Sequence, residues 1–118
     1  MNPTYAGSCH CGAVEFTFEV DEFAAWQCNC SLCRRTGAIY HRVEATCFHL
    51  KEPLVELESY GSKPLISHKR CARCGVHTFS QVKFGHEIGA LYCVNLLCVG
   101  DIETNKLSVE QFNGARDL

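Results

Sequence analysis

The sequence predicts a mainly β fold of antiparallel sheets with one short helix, and three observations carry that expectation. Apolar and polar residues alternate with a period of two along most segments. Turn signals recur at intervals of ~10 residues, the cadence of an antiparallel all-β chain. Only one short helix-like piece stands out, and no alternation of strands with long helices points to a parallel α/β sheet.

Val14, Phe16, Phe18 and Val20 point one way while Glu15, Thr17 and Glu19 point the other, which predicts a half-buried strand. Asp21 to Gln27 reads as either a turn or a short helix. Ser31 to Gly37 is the helix-like piece: Ser31 is a candidate N-cap, and Gly37 suits a left-handed stop. Ile39, His41 and Val43 alternate with Tyr40, Arg42 and Glu44. Val55 and Leu57 alternate with Glu56 and Glu58, and the turn signal Gly61-Ser62-Lys63-Pro64 follows. Leu65 to Arg70, Thr78 to Phe84 and Ile88 to Val94 read as the remaining strands.

With 118 residues the expectation is one domain over residues 1–118, large enough for a modest core. The chain is 47% hydrophobic and 20% charged, which excludes intrinsic disorder. The longest mostly apolar stretch, Ile88 to Val99, is interrupted by Asn95 and falls short of the ~20 residues of a membrane helix. Met1 to Gly12 carry no basic segment followed by an apolar run, so a cytoplasmic location is expected. The formal charge of −2, with Lys and Arg scattered, gives no nucleic-acid footprint.

Cysteine is the compositional outlier, with 10 in the chain. The spacing is Cys9-x-Cys11, Cys28-x-Cys30-x-x-Cys33 and Cys71-x-x-Cys74, with Cys47, Cys93 and Cys98 apart. Close pairs of this kind suit thiolates converging on one ion better than disulfides, which need a particular geometry. Both Cys-His-Cys-Gly and Cys-Ala-Arg-Cys-Gly end in glycine, which accepts the positive φ that a metal-binding turn demands. The soft donor set selects zinc, with iron the weaker alternative.

Cys9, Cys11, Cys71 and Cys74 form a candidate closed four-thiolate site of the structural kind. Cys28, Cys30 and Cys33 supply three ligands. Their fourth position either stays open for water or a substrate thiol, as in catalytic zinc, or is closed by a remote Cys or by His41, His49, His68 or His77. Cys33 falls in the first turn of the helix, where the backbone dipole favours a thiolate. Arg34 and Arg35 either balance thiolate charge or bind a substrate carboxylate. Cys47, Cys93 and Cys98 lie in apolar runs and are expected to pack in the core, as is Trp26.

Three motifs together resemble one family. They are Gly7-Ser8-Cys9-His10-Cys11-Gly12-Ala13-Val14, Cys28-Asn29-Cys30-Ser31-Leu32-Cys33-Arg34-Arg35-Thr36-Gly37 and Arg70-Cys71-Ala72-Arg73-Cys74-Gly75. The family is that of the glutathione-dependent formaldehyde-activating enzymes, which includes the domain of centromere protein V. The resemblance runs from about Tyr5 to Gly114. It implies a β-tent fold of the Mss4-like type, stapled by zinc on Cys9, Cys11, Cys71 and Cys74, with a second zinc on Cys28, Cys30 and Cys33. The implied activity is carbon–sulfur lyase chemistry, the condensation of formaldehyde with glutathione to S-hydroxymethylglutathione. Arg34 or Arg35 would then hold a substrate carboxylate, with His41 and His68 as candidate proton shuttles. The competing classes are a non-enzymatic zinc module for protein contacts and a thiolate cluster for redox or zinc handling.

Overall fold

The computed structural model describes residues 2–61, 66–83 and 91–117, the side chain of Asp117 excepted. The turn at 62–64, Leu65, Phe84 and the expected strand start at 88–90 lie outside the described residues. In chain order the first strands are β1 (Thr4–Ser8), β2 (Glu15–Glu19), β3 (Ala25–Cys28), β4 (Tyr40–Glu44) and β5 (Phe48–Leu50). They are followed by β6 (Leu57–Tyr60), β7 (Ile66–Cys71), β8 (His77–Val82), β9 (Leu91–Asn95) and β10 (Val109–Phe112). Two short α-helices, α1 (Cys33–Thr36) and α2 (Gly114–Asp117), and three single 3-10 turns complete the described elements. The fold is mainly β, and no described helix is long and apolar enough to cross a membrane.

The strands form a three-stranded sheet, β1-β2-β5, and a seven-stranded sheet, β10-β3-β4-β9-β8-β7-β6. The main core lies between them. Phe16 and Phe18 of β2 and Phe48 of β5 meet Val43, Phe79 and Val94 of the larger sheet. Ring centroids of Phe16 and Phe48 are 5.6 Å apart, and those of Phe48 and Phe79 are 4.9 Å apart. Each fully buried Phe stabilises the fold by roughly 2–3 kcal/mol through water removed from its surface. The alternation seen along Val14 to Val20 therefore has its cause in this packing.

Several local expectations are corrected. Asp21 to Gln27 is neither a turn nor a helix throughout, because Ala25–Cys28 is β3. That strand pairs in parallel with β10, an exception to the antiparallel pattern. A parallel pair needs a long crossover, and the chain from Leu96 to Ser108 supplies it. Both Tyr40 and His41 are buried, because β4 is interior to its sheet and is covered on both faces. The expected strand at Val55 begins instead at Leu57. Leu54 N–H donates to Ala13 O at 3.0 Å and Ala72 N–H to Glu56 O at 3.1 Å, so this segment braces the two cysteine turns.

Ser31 does not cap α1. The N-cap is Leu32, without a side-chain bond, and Cys33 N–H donates to Cys30 Sγ at 3.4 Å. The sulfur takes the position a serine hydroxyl would fill. Gly37 does end the helix in the left-handed conformation, donating to Cys33 O at 3.0 Å.

Candidate metal centres

The first cysteine pair lies in the turn from β1 to β2. Cys9 N–H donates to Val14 O at 3.0 Å and Gly12 N–H to Cys9 O at 3.3 Å, while Val14 N–H donates to Cys9 Sγ at 3.3 Å. The second pair repeats the device where β7 turns into β8. Cys71 N–H donates to Val76 O, Gly75 N–H to Cys71 O at 2.9 Å, and the N–H groups of Arg73 and Cys74 to Cys71 Sγ at 3.3 and 3.4 Å. Gly12 at φ 82 and Gly75 at φ 76 make these turns, a region that disfavours any residue with a Cβ.

The two turns bring the ligand atoms of Cys9, Cys11, Cys71 and Cys74 within 4.8 Å of one another. Sγ of Cys11 is 3.7 Å from that of Cys9 and 3.6 Å from that of Cys71. A tetrahedral site with Zn–S of ~2.3 Å places its sulfurs about 3.8 Å apart, so these spacings fit zinc. They are far beyond a disulfide bond. The titration behaviour fits as well. Burial opposes ionisation of Cys74, yet N–H groups of Val76 and Cys11 and the neighbouring thiols bring it down to about 6. Cys11 receives the N–H of Ala13 but is pushed up to about 11 by desolvation and by sharing protons with Cys71, Cys9 and Cys74. Cys71 and Cys74 thus ionise more readily than ordinary thiols while Cys11 keeps its proton, and a divalent cation bound among them would displace it.

The second centre joins β3 to α1. Cys30 N–H donates to Cys28 Sγ at 3.4 Å, and Cys33 N–H to Cys30 Sγ. The C-terminal segment braces this loop. Asn29 N–H donates to Phe112 O at 3.2 Å, and Ala115 N–H to Asn29 Oδ1 at 2.9 Å. Cys28, Cys30 and Cys33 lie within 4.8 Å of one another, and among the described residues no His, Asp, Glu or further Cys joins the group. Cys28, Cys33, Ala38, Tyr40 and Cys93 form a buried cluster, with Trp26 and Cys30 packed against it.

Burial raises Cys33 to about 12, with Cys30 and Cys28 adding repulsion. Burial therefore outweighs whatever the start of this one-turn helix contributes to the thiolate. Cys28 is raised for the same reason, whereas Cys30, despite burial, is lowered by N–H donation from Cys33 and by the other thiols. Three soft donors with one low thiol again fit a zinc ion.

Tyr40 links this centre to His77, whose ring meets that of His68 edge-on. Its Oη is 4.0 Å from Cys33 Sγ and 2.9 Å from His77 Nε2. His77 Nδ1 is 3.1 Å from Lys69 O, which can only accept, so Nδ1 carries the proton and Nε2 accepts from Tyr40. Burial brings His77 down to about 4, against the pull of the Lys69 carbonyl, and so keeps the ring neutral. Burial also raises Tyr40, helped by the charge of Cys33. His68 Nδ1 is 2.7 Å from Ser80 Oγ, and burial lowers its pKa.

A cavity of about 130 Å³ opens beside these groups, with Thr36, His68, Arg70, Gly75 and His77 in its lining. A larger cavity, about 440 Å³, lies over β1, β2 and β5 and contains no member of either cysteine cluster. The smaller one is the better candidate for substrate because it adjoins α1 and the second cysteine turn.

The structure places the other sequence candidates elsewhere. His41 Nδ1 accepts from Ala24 N–H at 3.2 Å and its ring packs on Phe18 and Phe23. His49 pairs with Glu19 at 3.0 Å on the surface. Arg35 donates to Ser31 O at 2.6 Å, and neither Arg34 nor Arg35 lines the smaller cavity. Cys93 is buried, and Cys47 and Cys98 are partly buried against the main core. Tyr40 and Arg70 were not singled out from sequence. The available signal for Arg70 was a permanent cation immediately before a ligand-type cysteine.

The family model for glutathione-dependent formaldehyde-activating enzyme matches residues 4–114. A crystal structure of a Rhodobacter sphaeroides protein, a structural-genomics target, is similar to this chain with a TM-score of 0.75 and 28% sequence identity. The match covers 91% of this chain and 99% of that one.

Proposed function

This chain belongs to the family of glutathione-dependent formaldehyde-activating enzymes, and from that premise we propose that it interconverts formaldehyde plus glutathione with S-hydroxymethylglutathione. A related small thiol would serve the same chemistry. The S–C bond forms as the carbonyl π pair moves to oxygen, and the proton shed by sulfur ends on that oxygen. The reverse direction is a carbon–sulfur lyase reaction, and neither direction needs an oxidant or reductant. The observation that carries this reading is a largely buried three-thiol cluster with no fourth protein ligand among the described residues, close to a cavity lined by its sequence neighbours Leu32 and Thr36.

We take the full complement to be two zinc ions per chain. Cys9, Cys11, Cys71 and Cys74 would hold one as a closed staple; Cys28, Cys30 and Cys33 would hold the other with a position free for substrate. Zinc bound at the three-thiol cluster supplies a Lewis acid that favours thiolate over thiol and polarises a carbonyl oxygen.

The chain's own groups supply the rest. Tyr40 Oη, whose proton goes to His77 Nε2, offers a lone pair to the hydroxyl of the adduct and orients it. Trp26, Ala38 and Cys93 form the apolar side of the cluster and exclude water there. Arg34 and Arg35, next in sequence to Cys33, balance the negative charge of the thiolates. Residues 1–118 work as one domain in this reading, since the four-thiol site joins the first strands to the β7–β8 turn. Ten cysteines without a disulfide suit the reducing cytoplasm.

Exchange NMR of formaldehyde, glutathione and their adduct tests the proposal. The parent protein is expected to accelerate exchange above the uncatalysed background, and Cys30→Ser to lose the acceleration while keeping the four-thiol zinc. Background exchange with the zinc-loaded parent would reject the enzymatic reading in favour of a zinc-stapled interaction module.

A further inference from the structure

We propose that Arg70 anchors a carboxylate of the thiol substrate in the 130 Å³ cavity beside α1, an inference that rests on the glutathione reading above. No cysteine lines the cavity, but residues that flank the three-thiol centre do. Leu32 and Thr36, on either side of Cys33 in sequence, line it, and so does His77, which holds the Tyr40 hydroxyl. A ligand whose sulfur sits at the cysteines therefore reaches the cavity through a few bonds. The volume holds one carboxylate-bearing end of a tripeptide and excludes the whole of it.

The lining is built for an anion. Its polar side chains are Thr36, Tyr60, His68, Arg70 and His77, and none is a carboxylate. Arg70 is the permanent cation among them. Glu58 meets its Nε at 3.5 Å from outside the cavity, and no hydrogen bond joins its guanidinium to another described residue. That leaves the planar end of the guanidinium free to grip a carboxylate by two parallel N–H bonds. The side chain is 46% exposed, so a solute can reach it. Arg34 and Arg35 lack this setting, because they lie outside the lining and Arg35 is bound to Ser31 O.

Calorimetric titration of the zinc-loaded protein with glutathione and with glutathione diethyl ester tests the assignment. Arg70→Met is expected to weaken glutathione about tenfold to a hundredfold, the range for a charge-assisted hydrogen bond. The parent should lose affinity on esterification, and Arg70→Met should lose less by that same factor, as a coupled pair requires. Arg70→Lys should recover part of the loss. Arg34→Met and Arg35→Met should leave the ester discrimination intact. Zinc content and the Trp26 fluorescence melt establish that the variants are folded. Should Arg70→Met not fold, Glu58→Gln decides, since freeing Arg70 should tighten glutathione and an unchanged or weaker affinity would overturn the assignment. If Cys30→Ser abolishes binding but Arg70→Met binds and discriminates like the parent, Arg70 is not the anchor and the glutathione reading stands. If the parent binds no glutathione, both are overturned.

Discussion

Cys71→Ser should produce a large, measurable loss of stability. Cys71 has no exposed surface and terminates β7. Its sulfur receives two backbone N–H groups and stands 3.6 Å from that of Cys11, 60 residues away in sequence. Joining chain points that far apart restricts the unfolded ensemble by about 4 kcal/mol, by the loop-closure relation used for disulfides. Domains of this kind are held by only ~5–15 kcal/mol, so losing the staple removes a large share. The substitution should lower the melting midpoint by more than about 10 °C and remove zinc from the four-thiol site. Elemental analysis and a melt followed by Trp26 fluorescence measure both. A variant that keeps the parent's zinc and melts within about 2 °C of it would refute the staple.

Gly7→Val should destabilise by ~1–3 kcal/mol, because a Cβ at Gly7 would lie 2.5 Å from Phe16 Cζ; an unchanged urea midpoint would contradict that packing. Under a mild chelator Cys28, Cys30 and Cys33 should alkylate before Cys9, Cys11, Cys71 and Cys74, since a three-ligand centre admits a competitor; mass-spectrometric mapping that finds the reverse order would argue for a closed second site. Burial lowers His41 below its ordinary 6.5, so the unfolded chain takes up the proton first, and the stability owed to neutral His41 is present above pH 6.5 and lost as pH falls through the folded value. His41→Gln should therefore show a smaller stability loss between pH 7 and pH 5 than the parent, and an equal loss in urea titrations would contradict the assignment.

What was legible in the sequence was local. The alternation from Val14 to Val20 is visible because β2 packs one face on the core, and the two glycine-ended cysteine turns repeat one backbone device. The separation of seven cysteines into four and three follows from spacing, and the fold gathers those same groups. The misses have long-range causes. β10 pairs in parallel with β3 through a partner remote in sequence, which no local pattern announces. Ser31 looked like a cap because serine usually wins that position, but the Cys30 sulfur takes the Cys33 N–H. Arg70, His68 and His77 become neighbours across the β7–β8 pair, beside α1, only when the sheet is formed.

Anomalous diffraction at the zinc edge, on crystals grown with glutathione, tests most directly the claim that the two cysteine centres are unlike. The expected result is two zinc positions per chain: one enclosed by Cys9, Cys11, Cys71 and Cys74, the other on Cys28, Cys30 and Cys33 with the glutathione sulfur as its fourth ligand. A second position closed by a protein side chain, or no zinc there at all, would contradict the account.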